Sequence, residues 1–233
     1  MPGFAGFDCS TYPGDTIMKW LKSNSNLVWC GYYLAPAPSH GDPSWMGKRA
    51  SLAAAGWGIA PLFVGQQTIG PGSHNPSAGT GTVDGAHTVA LLQAEKFSPG
   101  TCVYLDLENG PPFTSAQHAY VASWCDAVAA GGYQPGVYCS HLLAADVHSL
   151  RPNCRIWAFK VPTTSPLPVP IPCPDPNPSG CGYPGAYSWQ LAQNGLLTVP
   201  PAPNSQLQVD LNSAIVRDPG APAIAAAAGA GSQ

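Results

Sequence analysis

The sequence predicts a single α/β domain, a TIM-type (β/α)8-like barrel that is irregular in its C-terminal third. Two observations carry this. Eight short β-like runs alternate with helix-like runs through most of the chain, the pattern of parallel βαβ units. Those runs are near-continuously apolar, as strands are when both faces are covered. A third observation sets the irregularity: "VPTTSPLPVPIPCPDPNP" (161–178) cannot be helical, because proline removes a backbone donor and clashes with the preceding turn.

Taken in order, "FAGFDC" (4–9) is the first strand, followed by the helical "GDTIMKWLKSN". "NLVWCGYYL" (26–34) is the second, with "SWMGKRASLAAAG" as its helix. "GIAPLFVG" (58–65) is the third. A Gly/Ser/Pro-rich loop (66–80) leads to a helix around "DGAHTVALLQAEKF". "CVYLDLE" (102–108) precedes the long helix "TSAQHAYVASWCDAVAAGG", and "PGVYCS" (135–140) precedes "HLLAADVHSL". "RIWAFKV" (155–161) runs into the Pro-rich loop, and "AYSWQLA" and "LQVDLNSA" complete the set of eight. No repeat and no second domain is visible. The domain is expected over residues 1–218, with 219–233 as a flexible Ala/Gly tail.

Composition narrows the function. The 233 residues are 45% hydrophobic and only 9% charged, so each acidic residue is scarce and its position informative. A net charge of -3 and nine scattered Lys and Arg give no footprint for nucleic acid or for an anionic membrane. No run is long enough to span a bilayer, and the first ten residues lack the basic and apolar regions of a signal peptide. The chain is expected to act as a monomer.

Eight cysteines are many for a cytosolic enzyme and few for a disulfide scaffold of this length. Cys173 and Cys181 flank the turn-rich "PDPNPSG", which makes a small disulfide-closed loop one option there. Cys9, Cys30, Cys102 and Cys139 lie in apolar runs and read as small buried hydrophobes. No CxxC is present and the six His have no ligand spacing, so neither a metal nor another cofactor is expected. "GTGTVDG" (79–85) lacks a P-loop lysine, and no GxSxG elbow exists.

The acids point to a site. "YLDLENG" (104–110) places Asp106 and Glu108 two residues apart at the end of a strand, about 6.6 Å along the chain and on one face. Asp8 closes the first strand and Asp210 lies in the last. In barrels of this kind the active site is built at the C-terminal strand edges, and like charges gathered there raise each other's pKa values. Taken singly, each Asp reads better as a helix cap or loop anchor. The pair together with two more strand-end acids favours a catalytic set: Asp8, Asp106, Glu108 and Asp210. Near the same edges stand Tyr32, Tyr33, Gln66, Tyr138, Trp157, Trp189 and Gln190, aromatic platforms and amides suited to sugar rings. For each aromatic alone, core packing is the commoner role.

These segments also resemble a known group. "GFDCS", "YYLAP", "IAPLFVGQQ", "YLDLEN", "PGVYCS", "RIWAF", "YSWQLA" and "VDLN" follow, in order, the pattern of a bacterial glycoside hydrolase-like barrel family. That family is related to the lysozyme-type family 25 glycoside hydrolases. The resemblance spans about residues 3–216 and implies a barrel acting on, or binding, the glycan strands of bacterial peptidoglycan. By the same resemblance Glu108 is the general acid, Asp106 the nucleophile or transition-state stabiliser, and Asp8 and Asp210 orient and tune them. Retaining chemistry needs carboxyls about 5–5.5 Å apart, and the short spacing of the pair favours it. The implied protein is secreted or wall-associated. The rival readings are a non-catalytic glycan-binding barrel and a divalent-metal hydrolase.

Overall fold

A computed structural model describes residues 1–161 and 167–222. Six parallel strands form in chain order: β1 (Phe4–Asp8), β2 (Trp29–Tyr33), β3 (Gly58–Val64), β4 (Cys102–Asp106), β5 (Gln134–Ser140) and β6 (Arg155–Phe159). The two-residue β7 (Leu167–Pro168) lies outside the ring. β8 (Ser188–Thr198) runs parallel to β6, and β9 (Gln206–Ala214) closes the ring by pairing antiparallel to both β8 and β1. The result is a closed eight-stranded barrel, irregular as expected. The irregularity goes further than missing helices, because the last strand is reversed. A tight hairpin cannot return parallel, and only seven residues separate β8 from β9.

Alternation sorts the side chains between the barrel interior and the surrounding layer. Inside, aromatic rings face glycines. Trp157 meets Trp29, Tyr104 and Tyr138 edge-on at 5.2, 5.4 and 5.6 Å between centroids. A Cβ on Gly6 would fall 2.1 Å from the Trp29 ring, and one on Gly136 would fall 2.6 Å from Tyr104. Large residues on some strands thus require glycine on their neighbours. Outside, Phe7 packs on Trp57, Tyr32 on Trp45 and Phe97, and Phe63 on Trp124.

The helices follow their strands: α1 (Asp15–Asn24), α2 (Arg49–Ala54), α3 (Ala78–Ala94), α4 (Ser115–Ala130) and α5 (Ala144–Leu150). α3 begins six residues before the expected helical stretch. Ser77 and Thr80 form a reciprocal capping box, which satisfies two otherwise orphaned donors and starts the helix inside the glycine-rich stretch. Those glycines have a packing reason: a Cβ on Gly81 would sit 2.4 Å from the Tyr120 carbonyl, and one on Gly85 2.7 Å from Ala127. They let α3 approach α4 closely. Between β6 and β8 there is no α-helix among the described residues, only a 3-10 turn at Pro178–Cys181.

Two expectations are corrected here. The chain after Asp218 is not loose from residue 219 onward. Pro219 and Gly220 are buried, and the Gly220 carbonyl accepts from Cys102 N at 2.8 Å. The Pro219 carbonyl accepts from the Tyr104 hydroxyl (3.0 Å) and from Arg155 (2.9 Å), so this segment stoppers the barrel end opposite the acids. Residues 223–233 of the expected tail lie outside the described residues. Cys173 and Cys181 are both free thiols rather than a bridge. Asn26 holds the Cys173 backbone on both sides, through its N–H (2.7 Å) and its carbonyl (2.9 Å). Cys30, Cys102 and Cys139 are buried as expected, whereas Cys9 is only half-buried. Among the described residues no helix is long and apolar enough to cross a membrane.

Candidate active site

All four acids reach the mouth formed by the C-terminal ends of β1–β6. Asp8 ends β1. Asp210 arrives by another route than expected: β9 runs backwards, so its N-terminal half is at the mouth, and Asp210 pairs directly with Asp8 across the sheet. Asp106 ends β4. Glu108 is not in the strand. It stands in the loop two residues later, exposed at the rim, while Asp106 and Leu107 are buried. The spacing argument for a same-face strand pair therefore does not apply to it.

Each carboxyl has its own surroundings. Asp8 Oδ1 accepts from the Tyr33 hydroxyl (2.6 Å) and Oδ2 from Asn212 Nδ2 (2.7 Å). Asn212 is fixed in turn by Trp157 Nε1, which donates to its Oδ1 at 3.0 Å. Asp210 Oδ2 accepts from Gln190 Nε2 (2.8 Å) and Oδ1 from the Asn194 N–H (2.7 Å). Asn194 offers that N–H because β8 carries register shifts there and Asn194 adopts a left-handed φ of 54°, a bulge that re-aims the backbone. Tyr138 donates its hydroxyl to Gln190 Oε1, extending the chain of bonds across the mouth.

Asp106 differs from these two. It is 6% exposed, and its Oδ1 is buried with no hydrogen-bond partner. Its loop is tied instead through Gln67, whose Nε2 donates to the Asp106 carbonyl (2.8 Å) and whose Oε1 accepts from the Glu108 N–H (3.0 Å). One amide thus sets the direction in which Glu108 leaves the strand.

Burial raises every member of the set, and repulsion from neighbouring acids adds to it for Asp8, Asp106 and Asp210. Burial, then the charge of Asp210, pushes Asp8 from the ordinary 3.8 up to about 8, against the bonds from Tyr33 and Asn212. Burial, then the charges of Glu108, Asp8 and Asp210, holds Asp106 well above the usual carboxylate range. Burial raises Glu108. Burial pushes Asp210 up to about 6; the charge of Glu108 adds to this, while the Asn194 and Gln190 bonds oppose it.

The mouth is a groove with the acids in its floor. On one side a cavity of about 600 Å³ is lined by Ser10–Tyr12 after β1, by the β8–β9 arm (Asn194, Leu207, Gln208), and by Asp8, Glu108 and Asp210. On the other a cavity of about 230 Å³ is bounded by Ser39, His40, Gln67, Ile69, Asp106 and Glu108. Between them, under the carboxyls, a void of about 10 Å³ has room for about one water and touches Tyr138, Trp157 and Gln190.

The residues expected to bind substrate divide accordingly. Tyr33, Tyr138 and Gln190 reach the site. Trp157 is fully buried and forms its floor rather than a platform. Tyr32, Gln66 and Trp189 lie elsewhere. Adjacent strand residues point to opposite sides, so Tyr32 and Trp189 face outward where Tyr33 and Gln190 face in. The Tyr32 hydroxyl bonds Glu95, and Trp189 Nε1 donates to the Lys160 carbonyl at 3.1 Å. Gln66 turns to α3, donating to Asp84 at 2.9 Å. Sequence reasoning missed Gln67, Asn194, Gln208 and Asn212. Asn212 alone carried a signal, since it lies two residues from Asp210 on the same face.

A model of the Rv2525c-like, glycoside hydrolase-like domain matches residues 19–166, well over half of the chain. The chain belongs to that family. Solved structures agree on the fold at low identity. An uncharacterised protein of B. stearothermophilus shares 16% identity at a TM-score of 0.61, covering 91% of this chain and 96% of its own. The Tat-secreted protein Rv2525c of Mycobacterium tuberculosis, in complex with HEPES, shares 14% at 0.59, covering 94% and 98%. The bacterial lysozyme of Streptomyces coelicolor shares 13% at 0.58, covering 91% and 92%. No curated protein matches the chain.

Proposed function

We propose that this glycoside hydrolase-like barrel cleaves glycosidic bonds in the glycan of bacterial cell walls. The observation that carries the reading is the grouping of four of the chain's 12 acids in one groove, all with raised pKa values. Glycoside hydrolysis needs one carboxylic acid to protonate the leaving oxygen and a second to face the oxocarbenium-like centre. Glu108 stands at the rim where a leaving group can reach it, and its partly desolvated position favours the protonated form a general acid needs. Asp106, buried with a bare oxygen, is the group that faces this centre, and it acts as nucleophile or transition-state stabiliser in its ionised form, which burial and the neighbouring acids disfavour. Asp8 and Asp210, each held by two hydrogen bonds, orient the set and set its charge.

Cavities on both sides of the acids suit a sugar chain crossing the groove. The resemblance to a bacterial lysozyme and to a Tat-secreted protein supports a wall glycan as substrate and an extracytoplasmic location. The test is incubation with purified peptidoglycan and mass spectrometry of released fragments. Glu108→Gln keeps shape and removes the transferable proton, so release should fall by about 10²–10⁴. Equal release by wild type and variant overturns the assignment of Glu108. No release by wild type at any pH leaves a glycan-binding barrel.

A further inference from the structure

The groove has an asymmetry of charge. Four carboxyls enter it, and none of the nine Lys and Arg lines any of its three cavities. Lys48 lies over the ring of Tyr12, which lines the larger cavity, at 5.0 Å, but it is paired with Asp15 at 3.3 Å. Lys160 follows β6 at the mouth and lies beside Gly182. The single imidazole lining these cavities, His40, is lowered by burial, which disfavours its charged form. An anionic sugar would enter this groove against carboxyls with nothing to offset its charge.

A second observation points to what is missing. Asp106 is more than nine-tenths buried, lines two of these cavities and has a buried oxygen without a hydrogen-bond partner; an unpaired buried carboxyl is costly. The Glu108 side chain beside it makes no hydrogen bond either among the described residues. A metal does not answer this need: among the described residues no group of three or more His, Cys, Asp or Glu is placed to hold one. Chemistry supplies another cation at the right place. In a 2-amino sugar the nitrogen is one carbon from the anomeric centre, so the carboxyls flanking that centre also flank the nitrogen.

We propose that the groove selects glycans containing 2-amino-2-deoxyhexose with a free, protonated amine, which Asp106 and Glu108 bind as an ammonium. This rests on the glycosidase reading above and narrows its substrate. Binding would draw protons from the raised carboxyls, because the ammonium favours their charged forms.

The probes are β-1,4-linked glucosamine tetramer and its fully N-acetylated counterpart, titrated calorimetrically at about pH 6, close to the value for Asp210. Binding of the amine tetramer should be at least about tenfold tighter. It should release protons, read as a dependence of the heat on buffer ionisation enthalpy, and it should weaken steeply with salt. Asp106→Asn and Glu108→Gln should each erase most of the difference between the two tetramers. A preference below about threefold, or one for the acetylated tetramer, overturns the proposal. Spermidine binding as tightly as the tetramer also overturns it, since the groove would then read charge without sugar. Turnover is scored separately. Hydrolysis of the acetylated tetramer alone keeps the glycosidase reading and removes the amine preference. Selective binding of the amine tetramer without hydrolysis of either does the reverse.

Discussion

Replacing Asp8 by Asn should stabilise the protein, increasingly so as pH rises. Burial and Asp210 hold Asp8 near 8 in the folded protein, against 3.8 for a free side chain. Its folded value is raised, so the folded state binds the extra proton. Stability is then full below about 3.8 and is lost as pH climbs toward 8, at about 1.4 kcal/mol per pH unit while the two states differ by one proton. At pH 7 that amounts to at most about 4 kcal/mol, a large share of a domain's typical stability. Asparagine mimics the protonated acid without the linkage. Asn212 must donate to position 8, because its own oxygen is occupied by Trp157, and the new amide oxygen accepts that bond. The new NH2 then faces the Tyr33 hydroxyl, which can accept. Urea unfolding of both proteins at several pH values between 4 and 8 measures the difference. The two midpoints should lie close together at the acid end and diverge steadily above it. Parallel pH profiles would show that Asp8 ionises as freely in the fold as out of it, and would refute the account of the site as a desolvated carboxyl cluster.

Other expectations follow from the same geometry. Gln67→Ala leaves the Glu108 N–H without its partner and takes from the Asp106 carbonyl one of its two bonds, the other coming from Gly65 N–H, so kcat on a cleaved glycan should drop about tenfold or more; an unchanged kcat would mean Gln67 does not aim Glu108. Trp157→Ala empties the barrel floor and should cost about 3–5 kcal/mol by denaturant unfolding; a cost below about 1 kcal/mol would contradict its place in the core. Gly81→Ala puts a methyl into the Tyr120 carbonyl and should lower the melting temperature by several degrees despite alanine's better helix propensity. Labelling of native protein by a thiol reagent should begin at the half-buried Cys9, with Cys30, Cys102 and Cys139 reacting only on unfolding.

What the sequence disclosed depended on whether alternation or tertiary pairing decided a position. The barrel was legible because its strands are apolar on both faces and its proline-rich stretch excludes a helix. Asp8 and Asp106 were legible because each ends such a run. Tyr32 and Tyr33, or Trp189 and Gln190, could not both serve the site, since neighbours in a strand diverge; only the phase of each strand decides which member turns inward. That phase is set by contacts distant in sequence, such as Gly6 receiving the Trp29 ring. Gln66 and Gln67 show the same limit in a loop. One amide is claimed by Asp84 on α3 and the other by the Asp106–Glu108 backbone, and nothing local distinguishes them.

The reversed last strand links the fold to its chemistry. A ninth-strand acid at a C-terminal edge would point to the far end of the barrel from Asp8, because β9 runs antiparallel to β1. Asp210 reaches the mouth by lying at the middle of its strand, directly across from Asp8. The same reversal turns β8 and β9 into a long hairpin whose arm carries Asn194 and Gln208 along the larger cavity, with Gln208 Nε2 donating to Asn194 Oδ1 at 2.6 Å. A regular βα unit in that place would put a helix on the barrel's outer face and leave the groove without this wall. The bulge at Asn194 serves both parts at once: it bends the arm, and it supplies the N–H that holds Asp210. Replacing Asn194 by Ala keeps that N–H but makes the left-handed backbone harder to hold. Asp210 would then lose the bond that lowers its pKa, and its titration should move up from about 6. Carboxyl-carbon NMR of wild type and Asn194→Ala reads this shift directly, and an unmoved Asp210 would separate the bulge from the charge of the site.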